Sequence, residues 1–200
     1  MKRFLSLFLF SAALLVLAMA SPAAAFEAAD NDDFYLGFGS SNIEVKDSEG
    51  LLSGSNVLGG VRFGLFWTVF AELGYGAIRY NDKVRNSLTG NDTIVDFRTT
   101  GAHFGLGFLI PIRAINIGWK FQRSPNNRWN EEINEVTPIG DPVSTTRKSG
   151  EIDFDSYFAF ARFGESGWFE VGARRDLIKS TDSILTNSFG PYLMFNITLN

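Results

Sequence analysis

Residues 57–76 read VLGGVRFGLFWTVFAELGYG, and apolar side chains occupy every second position before Trp67, at Val61, Phe63 and Leu65. The alternation continues after the tryptophan, at Val69, Ala71, Leu73 and Tyr75. A period of two indicates β-strands, because successive side chains of a strand point to opposite faces. The stretch therefore predicts two antiparallel strands joined by a tight turn around Trp67.

The same alternation recurs along the chain and predicts eight strands. No stretch after Ala25 has the pattern of a long amphipathic helix. The predicted strands cover residues 33–45, 54–66, 68–80, 93–110, 113–123, 151–163, 168–179 and 184–199. Each is close to the roughly 9–11 residues that a tilted strand needs to cross the hydrocarbon of a membrane.

Short and long links alternate between these strands. The short links lie around residues 66–67, 111–112 and 165–166. The long links cover residues 46–53, 81–92, 124–150 and 180–183. Outer-membrane barrels place short turns at the periplasmic end and longer loops outside. The sequence therefore predicts an all-β fold, an eight-stranded antiparallel up-and-down transmembrane β-barrel.

The first 25 residues have the pattern of an export signal. Two basic residues follow Met1, residues 4–20 are almost entirely apolar, and residues 23–25 are three alanines. This order of basic, apolar and small residues is typical of a cleavable signal peptide. An uncleaved anchor is disfavoured, because the apolar run is shorter than the roughly 20 residues of a spanning helix. We predict a signal peptide over residues 1–25 and a barrel domain over residues 26–200.

Composition excludes several classes of function. Lys and Arg number 18 against 22 Asp and Glu, for a net charge of −4. An acidic chain gives no electrostatic reason to expect nucleic acid as a partner. Cysteine is absent, so neither disulfides nor thiolate metal sites can form.

Three stretches carry a resemblance to a known family. They are DDFYLGFGS at residues 32–40, FAELGYG at residues 70–76 and FGPYLMFNITL at residues 189–199. With these stretches the chain resembles the small eight-stranded outer-membrane barrels of the OmpA- and OmpX-like group, over residues 26–200. Such barrels commonly end in an aromatic residue, whereas this sequence ends in Asn200. The resemblance implies a location in the cell outer membrane.

A soluble exported barrel of the lipocalin type is the structural alternative, because alternation alone does not say which face points outward. The face opposite the apolar one is rich in glycine and poor in charge, which is unusual for a surface exposed to water. Its glycines are Gly37, Gly39, Gly60, Gly64, Gly74, Gly76, Gly105, Gly107, Gly118 and Gly172. We therefore expect this face to line a narrow lumen and the phenylalanine-rich face to meet lipid.

Polar residues in the predicted lumen phase form a candidate network. They are Arg62, Glu72, His103, Lys120, Asp153, Asp155, Tyr157, Glu170 and Arg174. The turn at Trp67 predicts Arg62 opposite Glu72, and a two-residue turn at 165–166 predicts Tyr157 opposite Arg174. Buried charges need partners, and eight strands leave an interior just wide enough for side chains to fill. We expect a salt-bridged core that closes the barrel; the alternative is a polar path for ions or protons.

Catalysis would have to use His103, the only histidine. Ser156 is the candidate nucleophile, but the alternation places His103 on the lumen face of its strand and Ser156 on the lipid face of another. Register instead predicts His103 opposite Lys120. We therefore predict no catalytic residue. We also predict no metal and no cofactor, because one histidine and no cysteine leave only scattered carboxylates as ligands.

The link over residues 124–150 is the remaining candidate for a binding site. It holds Trp129 among charged residues, and its prolines predict irregular structure. Loops of this length are functional or disordered. We predict Trp129 as an extracellular contact anchor. The alternative is a solvated excursion that only extends the hairpin.

The favoured function is that of a structural or surface-interaction barrel. Its expected partners are outer-membrane lipid and, through the extracellular loops, a cell-surface or lipopolysaccharide contact. A narrow ion or small-solute pore is the first alternative, and a lipid-modifying barrel enzyme is the second.

Overall fold

The structure is a computed structural model, and it describes residues 32–45, 48–66, 68–86, 88–112, 115–163, 168–179, 183 and 185–199. Eight long strands make up most of it, as predicted: β1 (Asp32–Val45), β2 (Leu51–Phe66), β3 (Val69–Asn86), β4 (Asp92–Ile112), β5 (Ile115–Val136), β6 (Pro142–Phe163), β7 (Phe169–Lys179) and β8 (Leu185–Leu199). A two-residue strand, Ser48–Glu49, pairs with the end of β3. The predicted signal peptide lies outside the described residues.

The sheet closes on itself as an up-and-down barrel. Each strand pairs antiparallel with its neighbours in the chain, and β1 also pairs with β8. One end, the short-turn end, carries both ends of the strand series and the three short links. The facing pairs there are Asp32 and Leu199, Phe66 and Val69, Ile112 and Ile115, and Phe163 and Phe169. The eight predicted strands and their topology are confirmed.

Two of the predicted long loops are strand hairpins instead. β3 and β4 continue to a turn that includes residues 88–91, and β5 and β6 continue to a turn at residues 137–141. Gly90 and Gly140 in these turns have φ of 72° and 95°, which glycine adopts without strain. The prediction of irregular structure over residues 124–150 was wrong, because residues 142–147 and 149–151 of β6 are exposed on both faces and carry no apolar alternation to reveal the strand.

We call the extension of β3, β4, β5 and β6 beyond the other strands the hairpin sheet; it covers residues 79–86, 92–100, 127–136 and 142–152. The outer face of the barrel changes character where this sheet begins. Towards the short-turn end the exposed side chains are apolar, and include Phe34, Leu36, Phe63, Leu73, Phe104, Leu106, Ile117, Trp119, Phe195 and Ile197. On the hairpin sheet most of them are polar, with Arg79, Arg98 and Asn130 among them. The apolar band has the composition expected of a surface that contacts lipid.

The described residues contain no helix long and apolar enough to cross a membrane.

Two clusters of buried apolar side chains fill the interior. The lower cluster lies in the half that carries the apolar band, and consists of Tyr35, Leu58, Phe70, Leu109, Phe158, Phe160, Tyr192 and Met194. The upper core lies at the long-hairpin end, and consists of Ile43, Val45, Leu52, Tyr80, Val84, Val95, Phe97, Trp129, Ile152, Phe154 and Leu185. Side chains therefore fill the barrel at both levels.

Trp129 belongs to the upper core, where its ring stacks on Phe97 with ring centres 5.9 Å apart. It is only 2% exposed, so its predicted role as an exposed contact anchor was wrong. Trp129 lies on a strand and not in a loop, and a bulge turns its side chain inward. Gln122 points inward before the bulge and Asn127 after it, so inward positions change from even to odd along β5. One extra residue in a strand exchanges its two faces.

The predicted orientation of β6 was also wrong, because its two faces are exchanged. Phe154, Phe158 and Phe160 point into the lumen, and Ser156 lies with them. Tyr157 points outward, where its ring lies 5.3 Å from that of Phe121. The cause is that the lumen itself contains an aromatic cluster, so the apolar face of this strand is not its lipid face.

Candidate functional site

The lumen beside the apolar band holds a hydrogen-bonded group of charged and polar side chains, which we call the ionic layer: Arg62, Glu72, Lys120, Gln122 and Glu170. Arg62 on β2 lies directly opposite Glu72 on β3, as predicted. Arg62 Nε donates to Glu72 at 2.8 Å, and Gln122 Nε2 donates to the same carboxylate at 2.6 Å. Lys120 Nζ lies 3.2 Å from it. Both carboxylate oxygens of Glu72 are thereby hydrogen bonded.

The layer continues towards the short-turn end. Arg62 also donates to Glu170, which accepts a second hydrogen bond from Asn196 at 3.2 Å. Arg162 on β6 donates to Asp33 on β1 at 2.5 Å. Asp33 and Arg162 were not among the predicted lumen residues. Asp33 shares its phase with Tyr35, which could have revealed it, whereas Arg162 was hidden by the wrong phase for β6.

Opposite charges balance among the lumen residues that the structure describes below the upper core. Four cations and four anions are buried there: Arg62, Lys120, Arg162 and Arg174, with Asp33, Glu72, Glu170 and Asp176. Charges taken out of water are tolerated when they are paired and hydrogen bonded. The ionic layer therefore satisfies the electrostatic condition for a closed interior.

Aromatic rings complete the surroundings of Lys120, which is fully buried. Its Nζ lies 4.7 Å from the ring centre of Phe158 and 5.6 Å from that of Tyr35. An ammonium over an aromatic face is attracted by the negative potential of the ring. The lower cluster and the ionic layer thus pack as one unit around this side chain.

A second polar group lies around Asp176. Arg174 Nε and Ser156 Oγ both donate to one carboxylate oxygen at 2.6 Å, and Ser188 Oγ donates to the other at 2.7 Å. Arg174 was predicted in the lumen and lies there. The predicted partner Tyr157 does not face it, because Phe163 pairs with Phe169 and this register puts Phe158 opposite Arg174.

His103 lies in the lumen, as its phase predicted. Its Nε2 shares a hydrogen bond of 2.6 Å with the hydroxyl of Tyr35. The predicted register with Lys120 was wrong, because Lys120 lies opposite Gly107. Ser156 also faces the lumen, so the argument that it lies on the other face was wrong as well. The hydrogen bonds of Ser156 go to Asp176 and Arg174, so its hydroxyl is positioned by a different group from His103.

Two further residues of the predicted network lie on the outer face. Asp153 Oδ2 lies 3.4 Å from Arg123 Nη2, and Asp155 Oδ2 lies 2.5 Å from Lys179 Nζ. With Tyr157 they form the outward phase of β6. The network therefore contains six of the predicted residues, Arg62, Glu72, His103, Lys120, Glu170 and Arg174, and excludes these three.

The hairpin sheet forms the second candidate site, because one of its edges is open. β6 pairs with β5 along its whole length, but its pairing with β7 ends at Asp153 opposite Lys179. In the described part of the chain, no strand covers the other edge of β6 from Pro142 to Ile152. We call these residues the free edge. Their side chains are exposed apart from those of Lys148 and Ile152.

Several ion pairs lie on the outer face of the hairpin sheet. Arg147 Nε lies 2.9 Å from Glu132 Oε2, and Arg98 Nη2 lies 2.6 Å from Asp96 Oδ2. Hydrogen bonds from Asn134 and Arg147 lower the pKa of the Glu132 carboxyl below its usual value. A hydrogen bond from Arg98 does the same for the pKa of Asp96. These carboxylates are therefore ionised at neutral pH.

Comparison with known proteins agrees with the architecture. No protein-family model matches the sequence, and no curated protein matches it. Among solved structures, the chain is similar to the attachment invasion locus protein Ail of Yersinia pestis, with 12% identity, a TM-score of 0.50, and coverage of 84% of this chain and 99% of that one. Neisserial surface protein A is similar at 10% identity and a TM-score of 0.50, over 83% of this chain and 97% of that one.

A second structure of Ail, in complex with the heparin analogue sucrose octasulfate, has 13% identity and a TM-score of 0.49, over 84% of this chain and 99% of that one. The two matches with a TM-score of 0.50 establish the fold. With its closed ring of eight antiparallel strands and its apolar outer band, the chain has the fold of an outer-membrane β-barrel.

Proposed function

We propose that this barrel binds at the cell surface an extended segment of another protein along the free edge of β6, and that its lumen is closed to ions. The observation that carries the first part is the free edge itself. An uncovered edge presents a row of backbone N–H and C=O groups, and an extended peptide can pair with them as an added strand.

The position of the free edge supports this proposal. It belongs to the hairpin sheet, beyond the apolar band, on the side that outer-membrane barrels turn to the outside. Its neighbour β5 is held by β4 and by Trp129 in the upper core, so the edge is part of a rigid sheet. Rigid edges bind with a smaller entropic cost than loops that must order first.

The composition of the free edge also fits a selective contact. Pro142, Arg147 and Lys148 lie on it. Prolines and cations on an edge strand discourage unspecific pairing between identical sheets. A partner with carboxylates near Arg147 and Lys148 would be favoured over a second copy of this chain, because like charges directly opposite are unfavourable.

The closed lumen is supported by the two clusters and the ionic layer. Fully buried side chains in the lumen include Tyr80, Phe97 and Lys120. An eight-stranded barrel is just wide enough for such side chains to fill. This packing disfavours a pore, and the separate hydrogen-bond partners of Ser156 and His103 disfavour a lipid-modifying enzyme.

Outer-membrane lipid is the second proposed partner, through the apolar band. We propose that the chain reaches this membrane after residues 1–25 are removed. Rings on the band form contiguous contacts, such as Phe108 with Trp119 at 6.0 Å between ring centres. Aromatic side chains at the borders of such a band are typical of outer-membrane barrels.

Proline substitution on the free edge tests the surface contact. The nitrogens of adjacent strand residues point to opposite edges, so of Thr145→Pro and Thr146→Pro one loses an N–H that faces β5 and the other an N–H on the free edge. The variant that loses the N–H on the free edge should fold, which heat-modifiable migration on a gel would show. Adhesion of cells that display this variant should fall by about tenfold or more.

The matched controls are Thr145→Val and Thr146→Val, which keep the N–H and a β-branched side chain. They should adhere like the parent. Parental adhesion of both folded proline variants would remove the free edge as the contact site.

A further inference from the structure

The wall of the barrel is interrupted between β4 and β5. Their pairing stops at Thr100 opposite Arg128 and resumes at Phe104 opposite Arg123. Residues 101–103 of β4 therefore face residues 124–127 of β5 without a regular ladder. Asn126 has a φ of 51°, a left-handed conformation that marks the bulge.

Side chains satisfy part of the interrupted backbone. Asn127 Nδ2 donates to the carbonyl of Ser124 at 3.0 Å, and the backbone N–H of Asn126 donates to Asp153 at 2.9 Å. The gap lies where the outer face changes from Phe104 to Arg98, which is the border of the apolar band. Backbone groups that lack partners are costly in hydrocarbon but can be hydrated at such a border.

A small cavity lies directly behind the gap. Its volume is about 30 Å³, and its polar lining includes Thr99, His103, Gln122, Asn127 and Arg174. A cavity needs about 10–15 Å³ of this kind of volume to hold one water molecule. Asn127 packs directly against Gly101, since a Cβ at position 101 would lie 1.3 Å from Asn127 Oδ1.

Asn127 supplies an independent sign of a ligand. Its side chain is 4% exposed, and its Oδ1 has no hydrogen-bond partner in the described part of the protein. Buried polar atoms of native proteins are nearly always hydrogen bonded, to protein or to water. The cavity thus offers an acceptor at Asn127 and donors on the Arg174 guanidinium.

Side chains from both levels of the interior line the cavity. Phe154 of the upper core lines it on one side, and Gln122, hydrogen bonded to Glu72 of the ionic layer, lines it on the other. Its lining also includes Thr100, Gly101 and Ser124 from the two strands at the gap, and the side chain of Thr100 is exposed on the outer face of the barrel. The way out therefore leads through the wall.

We propose that the β4–β5 gap is a lateral port that admits water, and no larger molecule, from the outer border of the membrane to a binding site between Asn127, His103 and Arg174. The bound water accepts a hydrogen bond from Arg174 and donates one to Asn127 Oδ1. Protons and water thereby exchange with the centre of the lumen from the side, while the mouth of the barrel stays closed by the upper core.

Thiol accessibility tests the port, because the chain has no cysteine of its own. Asn127→Cys is reconstituted in lipid vesicles and exposed to Ag⁺, a water-sized probe, or to a bulky quaternary-ammonium thiosulfonate. Ser156→Cys is the matched control, since Ser156 is equally buried in the lumen but does not line the cavity. We expect Ag⁺ to block the thiol at position 127 at least about tenfold faster than that at 156, and the bulky reagent to block neither.

A second substitution closes the port from outside. Thr100→Phe, added to Asn127→Cys, places a ring over the outer end of the gap and should slow the Ag⁺ reaction about tenfold or more. Equal Ag⁺ rates at positions 127 and 156, no reaction at 127, reaction with the bulky reagent, or no effect of Thr100→Phe would each overturn the proposal.

The parent protein provides a measurement that needs no cysteine. His103 is the only histidine, so its ring signals are unambiguous in NMR spectra of the protein in bilayers. A water-exchange cross-peak at its ring N–H is expected. Its absence would overturn the port even if Asn127→Cys fails to fold.

Discussion

The two halves of the barrel interior differ in the kind of side chain that they bury. Beside the apolar band, the lumen holds four buried cations and four buried anions among aromatic rings. Inside the hairpin end, the upper core is apolar, with Ile43, Leu52 and Phe97 all fully buried. The lipid half therefore has apolar side chains outside and charges inside, whereas the hairpin half has polar side chains outside and apolar ones inside.

The surroundings explain the difference. In water, burying apolar side chains in the upper core removes them from solvent, which favours folding. In lipid, an apolar side chain gains little by turning inward, because the outside is equally apolar. Charges, however, can be stabilised only in the lumen of that half, where they find partners. In each half, the interior therefore holds the kind of side chain that the surrounding medium disfavours.

The largest effect is expected from breaking the ionic layer. Glu72→Ala leaves Arg62 and Lys120 without their shared carboxylate, and removing one partner of a buried pair costs about 3–5 kcal/mol. Urea unfolding in detergent or vesicles should show this loss. A double-mutant cycle with Arg62→Ala measures the coupling, and additive effects of the two substitutions would contradict a direct interaction.

A smaller loss is expected in the upper core. Leu52 is fully buried, so Leu52→Ala should cost about 2–4 kcal/mol through lost burial and the cavity left behind. Leu73 is the matched control, because it is 53% exposed on the apolar band. Leu73→Ala should cost clearly less. Equal losses at the two leucines would mean that the upper core is not packed as a soluble interior.

The smallest effect is expected on the outer face of the hairpin sheet. The pKa of Asp96 is lowered by Arg98, so the ion pair adds stability above the pKa of the unfolded chain and loses it as pH falls. Asp96→Asn should cost less than about 1 kcal/mol at pH 7, as exposed pairs do. The difference from the parent should shrink as pH falls below about 4 and vanish below the lowered pKa of Asp96. A difference that grows at low pH would contradict this assignment.

The sequence predicted most of the fold because the lipid half obeys a simple alternation. Phe63, Leu73 and Phe104 repeat at period two and face lipid as expected. The turn at Trp67 even predicted the pairing of Arg62 with Glu72, since a tight turn fixes the register of its strands. The alternating short and long links then gave the up-and-down order.

The errors arose where alternation was hidden or shifted. The hairpin sheet is solvated on its outer face and at its tip, so residues 124–150 carried no apolar period. The bulge at Asn126 reversed the faces of β5, which took Trp129 into the upper core. In β6, Phe158 and Phe160 line the lumen, so apolar character did not mark the lipid face. Phase errors of one residue exchange the two faces of a strand, and these misplaced Ser156 and Tyr157 together.

Ion conductance in a planar bilayer tests the central claim most directly, because the proposed closure of the lumen rests on two levels that are built by different means. Purified, refolded protein, shown to be folded by heat-modifiable migration, is added to the bilayer under an applied voltage. We predict no discrete conductance steps, since the ionic layer and the upper core fill the axis and the lateral port admits only water. Reproducible single-channel steps from the parent protein would contradict a closed interior.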